Sequence, residues 1–207
     1  LFATVSLWLT ALVALIMALF AGREILSRQE RRLKGWWGYG IGSATMLLAG
    51  MVVTVLALNG PLRPEPWYDP RYAIPLFGMI LGNAMTGISL GLDGLTSLVG
   101  RERAAIEAQL TLGATRWRAL RPIAQRALRT GFTPMLNSMA AAGVVFLPGM
   151  MTGQILSGVA PEQAVKYQIL VLFLIAGASG LGVLTAVLAS IWRLTDDRHR
   201  LRLDRLA

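Results

Sequence analysis

Five apolar stretches, at residues 1–21, 38–58, 72–92, 132–159 and 168–192, recur along this 207-residue chain. Each is long enough to cross the roughly 30 Å of a bilayer's hydrocarbon, which takes about 20 helical residues. No other feature restricts the fold so strongly. Lipid offers no partner to an open backbone N–H or C=O, so a spanning segment must satisfy its own groups, and a helix does so within one segment. The expected fold is therefore an all-α polytopic membrane protein with five transmembrane helices in a single domain covering residues 1–207. Composition agrees: 55% of residues are hydrophobic and 15% are charged, where a soluble domain carries about 25% charged.

The net charge of +9 would suit a nucleic-acid binder, but its placement argues against that partner. Of the 20 Lys and Arg residues, all but Arg63, Arg71 and Lys166 lie in segments 22–37, 93–131 and 193–207. These segments follow the first, third and fifth apolar stretches, and the connections after the second and fourth hold only the other three cations. Cytoplasmic loops carry the excess of Lys and Arg, so they are read as cytoplasmic, with Leu1 outside and the C-terminus inside. A chain that starts with Leu within an apolar span implies upstream sequence, or else a cleaved signal peptide. The absence of Cys rules out disulfides and thiolate metal sites within the chain.

The connection 59–72 holds four prolines and reads as extended or turn-rich. Trp67, Tyr68 and Tyr72 on that side, and Trp36, Trp37 and Tyr39 on the other, suit interfacial belts. Gly35, Gly38, Gly40 and Gly42 open the second stretch, Gly78 and Gly82 mark the third, and Gly177, Gly180 and Gly182 the last. Small residues at such spacing permit close helix approach. Every Asp and Glu falls outside the centres of the apolar stretches, so the intramembrane relay of a proton-coupled carrier is not visible. His199 sits in the basic tail and reads as a solvated surface residue.

Between Arg101 and Leu128, the residues Ile106, Leu110, Trp117, Leu120 and Ala124 recur every three or four positions beside an arginine-rich face. Gly113 would weaken a continuous helix and marks a turn between two short helices. Periodicity alone fits an amphipathic segment resting on anionic lipid. The order of residues points further: Glu107-Ala108-Gln109, then Leu112-Gly113-Ala114, then Pro122, resembles the EAA loop of ABC-transporter permeases. The resemblance implies a coupling helix within loop 93–131 that docks on an ATP-binding subunit, with Glu107, Ala108, Leu112, Gly113 and Ala114 as the coupling residues. In this sequence Gln109 replaces the second Ala of that pattern, and Pro122 comes early.

Two further runs, IPLFGMILGNAMTGISLGL from Ile74 and FLPGMMTGQILSGVAPEQAVKYQI from Phe146, join that loop in resembling the FetB-type permeases of bacterial iron-export ABC transporters. Plant aluminium-tolerance permeases are similar in the same places. The resemblance implies a bacterial inner-membrane permease of seven helices, of which this chain would hold five. It also implies a homodimer paired with separate ATPase subunits that hold ATP and Mg, and iron or another metal ion as cargo. The chain has no G-x-x-x-x-G-K-[ST] loop of its own. An ATP-independent channel or carrier for metal ions or small polar solutes is the alternative, and a membrane scaffold or receptor a third.

The fourth stretch is interrupted. Pro148 lacks an N–H and disfavours helical geometry at Leu147, and Gly149 tolerates conformations closed to other residues, so a kink or unwound turn is expected there. Freed carbonyls at membrane depth are tolerated only inside protein or along a polar cavity. Pro148 and Gly149 are therefore candidates for a gate or path, with Met79, Asn83 and Met85 on the third stretch and Asn137 on the fourth. Met150 and Met151 offer soft thioethers, weak metal ligands better suited to Cu(I) than to Fe(II). The bland alternative is that the methionines fill irregular gaps and the kink accommodates neighbouring helices.

Overall fold

A computed structural model of the protein describes residues 7–27, 33–62, 66, 68–196, 198 and 200–206. The first six residues of the first stretch, together with Arg28, Arg31, Arg32, Trp67 and His199, lie outside the described residues. Among the described residues seven α-helices follow one another: α1 (Leu7–Ser27), α2 (Trp36–Ala57), α3 (Pro70–Arg101), α4 (Arg103–Thr111), α5 (Arg116–Ala141), α6 (Gly149–Leu156) and α7 (Pro161–Leu194). A π-helical turn, Leu58–Leu62, extends α2. The tail carries a 3₁₀ turn, Leu203–Arg205. Among the described residues β-pairing is confined to isolated bridges.

The all-α polytopic architecture stands, but the count of continuous spans needs correction. Among the described residues four helical segments are long and apolar enough to cross a membrane: Leu7–Ile25, Trp36–Gly60, Pro70–Arg101 and Pro161–Leu194. The stretch 132–159, expected to be a fifth, is divided. Helix α5 ends at Ala141, the chain turns, and α6 begins after Pro148. Gly143 adopts φ +81°, its N–H donates to the Phe146 carbonyl at 2.9 Å, and Ala142 bridges to Phe146. Within the break the conformationally special glycine is thus Gly143, while Gly149 is an ordinary first residue of α6.

A second correction concerns the third stretch, expected to end at residue 92, whose helix continues to Arg101. Asp69 accepts the Arg71 N–H at 2.9 Å to cap α3, and Pro70 fits the first turn, where no N–H partner is needed. From there α3 runs 32 residues to Arg101, about 48 Å at 1.5 Å per residue, so it extends well past the hydrocarbon. Leu95 and Val99 are fully buried beyond the predicted end at residue 92, and their packing carries the helix through Asp93.

Helices α3 and α7 pack against each other and against most of the remaining elements. The larger core cluster joins α1, α2, α3, α5 and α7 and takes in Ile106 of α4. A second cluster, with Val53, Ala57, Ala73, Leu76, Val171 and Ile175, fills the opposite end. Helices α3 and α5 run antiparallel and come into backbone contact. A Cβ on Gly87 would stand 2.9 Å from the Gly131 carbonyl, and one on Gly131 would stand 2.9 Å from that of Gly87. Gly94, further along α3, faces Ala127 and Thr130, earlier on α5.

Basic segments distant in sequence meet at one end of the bundle. The Lys34 N–H donates to the Arg205 carbonyl at 2.8 Å, and Leu33 bridges to Leu206. The Arg193 guanidinium lies 4.5 Å from the Trp37 ring centroid, and Arg205 Nη1 donates to the Arg193 carbonyl at 2.7 Å.

Candidate functional site

Helix α4 is a nine-residue element hung between two long helices. One face anchors it: Ile106 is 2% exposed, and Leu110 packs against the larger core. Its start is clamped by an ion pair between Arg126 Nη2 and Glu102 Oε2 at 2.7 Å, which links α5 to the cap of α4 between residues 24 apart in sequence. The hydrogen bond from Arg126 lowers the Glu102 carboxyl below its ordinary range. Glu107 accepts from Arg103 Nε at 2.8 Å, a pair one turn apart that supports the helix locally.

The end of α4 is a closed turn. N–H groups of Leu112, Gly113 and Ala114 donate to the carbonyls of Ala108, Leu110 and Gln109 at 3.2, 3.1 and 3.0 Å. Gly113 adopts φ +86°, the left-handed conformation that side-chain-bearing residues rarely take. Thr115 then caps α5, accepting the Arg118 N–H at 3.4 Å. Leu112 projects outward, 87% exposed, Ala108 is exposed beside it, and Ala114 packs against the core. The turn expected at Gly113 is present. Its surroundings form a short rigid knuckle with an apolar tip, held from behind by Ile106 and the Glu102–Arg126 pair.

The residues suggested for a path are distributed. Met79 and Met150 border the second core cluster together, whereas Met85 packs against the larger one. Met151 is 6% exposed and belongs to the packed interior. Asn83 and Asn137 are exposed on α3 and α5, and Asn83 Nδ2 donates to the Met79 carbonyl at 2.8 Å. Pro148 stands at the N-cap of α6, and the turn before it exposes Val144, Val145, Phe146 and Leu147. Among the described residues no group of three or more His, Cys, Asp or Glu could hold a metal ion.

Sequence reasoning missed the contact of Gly131 with Gly87 and Gly91, the Glu102–Arg126 clamp, and the meeting of Arg193 with Trp37. The four-residue spacing of Gly87 and Gly91 is a legible signal for close approach. The other two join distant positions whose pairing leaves no local mark.

A family model described as "Uncharacterised protein family (UPF0014)" matches residues 1–194. The chain belongs to the UPF0014 family. Among curated UPF0014 relatives, "UPF0014 membrane protein slr1647" of Synechocystis is 36% identical over 196 residues, 93% of this chain and 73% of its own length. The "Probable iron export permease protein FetB" of Escherichia coli K12 is 35% identical over 153 residues, 74% of this chain and 58% of its own. "Protein ALUMINUM SENSITIVE 3" of Arabidopsis thaliana is 33% identical over 175 residues, 84% of this chain and 62% of its own. No solved structure matches the chain. This UPF0014 member is accordingly a membrane protein with several apolar helices and a relative named as a probable permease.

Proposed function

We propose that the chain is the membrane-spanning permease subunit of an ABC exporter for iron or another metal cation, driven by a separate ATP-binding subunit and acting as a homodimer. The observation that carries this reading is the α4 knuckle: a nine-residue helix, a left-handed turn at Gly113 and an exposed Leu112 between two long helices. A short, rigid element of this kind can convert closure of a bound domain into rigid-body movement of the helices it joins. The printed name of the E. coli relative supports the cargo. In this reading the basic end of the bundle faces the cytoplasm of a bacterial inner membrane. The ATPase holds ATP and Mg, and the Met79–Met150 end with the break before Pro148 forms the outer gate.

The test is co-purification of an ATP-binding subunit with the full chain, followed by ATP turnover in reconstituted vesicles. Replacing Leu112 by Ala or Gly113 by Val is expected to lower permease-stimulated turnover without reducing membrane insertion. Metal efflux that continues after ATP is depleted would overturn the proposal in favour of a channel or carrier.

A further inference from the structure

Helix α5 has to cross the membrane, yet it is not among the four helical segments apolar enough to do so. Its first residue, Arg116, lines one cavity with Arg193 and Arg205 at the basic end. Its last, Ala141, leads through the break and α6 to the opposite end, where α7 begins. The 26 residues between give about 39 Å of helix. Contacts with α7 fix the depth of each turn. Gly180 is the middle residue of the apolar run 168–192, and a Cβ on it would stand 3.5 Å from the Phe132 ring. Gly131 packs against Val183, three residues nearer the basic end. At 1.5 Å per residue, Thr133 and Asn137 therefore lie within about 5 Å of mid-depth and Arg129 about 8 Å from it. All three fall inside a hydrocarbon layer whose half-thickness is about 15 Å.

These side chains do not enter the bundle. Gln125, Arg129, Thr133 and Asn137 recur every four positions and are all exposed, while Ala119, Ile123, Ala127 and Gly131 form the packed face. A groove of about 720 Å³ follows the exposed row from Pro122 to Leu136. The Thr133 hydroxyl donates to the Arg129 carbonyl at 2.8 Å and is satisfied within its own helix. The Asn137 amide, near mid-depth, meets no partner among the described residues. Hydrocarbon can neither hydrogen-bond an amide nor solvate a guanidinium, and polar groups at this depth face a bundle interior or water. A dry seam against a second copy is disfavoured, because an isologous contact would bury Arg129 from both chains. Water is the partner that suits the whole row.

We propose that Gln125, Arg129, Thr133 and Asn137 line a water-filled conduit along which the cargo crosses. The opposite wall comes from the second copy of the homodimer proposed above, on which the conduit depends. A cargo on this route meets amide, hydroxyl and guanidinium groups along the row, so it crosses as a hydrated ion or small polar complex.

The chain has no Cys, so cysteines are introduced one at a time into the full chain. Membrane vesicles open to the reagent on both faces are treated with a charged methanethiosulfonate. The thiolate is the reactive form, and a thiol held in hydrocarbon stays un-ionised. Thr133→Cys and Asn137→Cys are expected to label at least about tenfold faster than Leu48→Cys. Leu48 is the matched control, in the middle of the run 38–58 and 67% exposed on α2. Thr133→Cys changes volume little and carries the same readout should Asn137→Cys fail to insert. Labelling requires neither ATP nor an ATPase, so the proposed function can fail on its ATP-binding partner while fast labelling still upholds the conduit. Rates at 133 and 137 as slow as at 48 overturn it, whether lipid or a dry seam covers the face, and a disulfide between two copies of Asn137→Cys then identifies the seam.

Discussion

Replacing Gly131 by Ala tests whether backbone contact sets the crossing of α3 and α5. The added methyl would stand 2.6 Å from Val183 Cγ1, 2.9 Å from the Gly87 carbonyl oxygen and 3.4 Å from Gly91 Cα. Val183 is fully buried and already lies close to Gly87 and Gly91, so its methyl has little room to swing away. The carbonyl belongs to α3 itself. Relief therefore requires the two helices to part by roughly half an ångström, the shortfall from an ordinary contact of 3.4 Å. Overpacking of this kind costs about 1–3 kcal/mol, while Ala returns up to about 1 kcal/mol of helix propensity. Gly82→Ala isolates the packing term, because nothing lies within 4 Å of a Cβ at that site on α3. The difference between the two variants should then be about 1–3 kcal/mol, with Gly131→Ala the less stable. Unfolding in mixed micelles titrated with sodium dodecyl sulfate, followed by circular dichroism, measures it. Equal stability, or Gly131→Ala the more stable, would refute the reasoning.

Other outcomes follow from the same geometry. Gly113→Val forces a β-branched residue to φ +86° at a cost of about 1–3 kcal/mol, so amides at the end of α4 should exchange faster with deuterium; unchanged protection would show that the turn tolerates any residue. Arg126 holds the Glu102 carboxyl below its ordinary range. A depressed carboxylate contributes fully above its unfolded value and is lost as pH falls through the folded one. Wild-type protection of α4 should therefore decline in acid, whereas Glu102→Gln should lack that decline, and identical profiles would remove the clamp. Asp204 is lowered to about 2, chiefly by the hydrogen bond from Arg202, so the tail should resist pepsin at pH 4 and yield near pH 2, while Asp204→Asn is cut at both; equal cutting of wild type and variant at pH 4 contradicts this. Met150→Leu with Met151→Leu conserves volume and should cost less than about 1.5 kcal/mol. If thioethers touch the cargo, metal efflux falls while stability holds, and unchanged efflux ends the ligand reading.

The features legible in the sequence are those with a local cause. Gly113 announced its turn through helix propensity, and Pro148 announced the break through a missing N–H and the restriction it places on Leu147. Hydropathy found the four long spans but misjudged where α3 stops, since it measures suitability for lipid and not continuity of helix. Leu95 and Val99 sustain α3 through a segment whose charges read as loop. The fourth stretch misled in the opposite sense, because its apolar content concealed a turn centred on Gly143. For the candidate site, the knuckle was readable from spacing, whereas the sorting of Met79 with Met150 and of Met85 elsewhere depends on helix rotation. Three arginines around one cavity depend on tertiary contact and left no sequence pattern.

One further consequence belongs to α3, whose unbroken run touches both ends of the molecule. Taken as a rod pivoting where Gly87 and Gly91 meet Gly131, it has unequal arms. Arg101 lies about 18 Å from that fulcrum and Pro70 about 28 Å at 1.5 Å per residue. A sideways pull of about 2 Å at the Arg101 tip would swing the Pro70 tip about 3 Å the opposite way. Through such a lever, a small tug on the knuckle reaches the far end of the bundle enlarged.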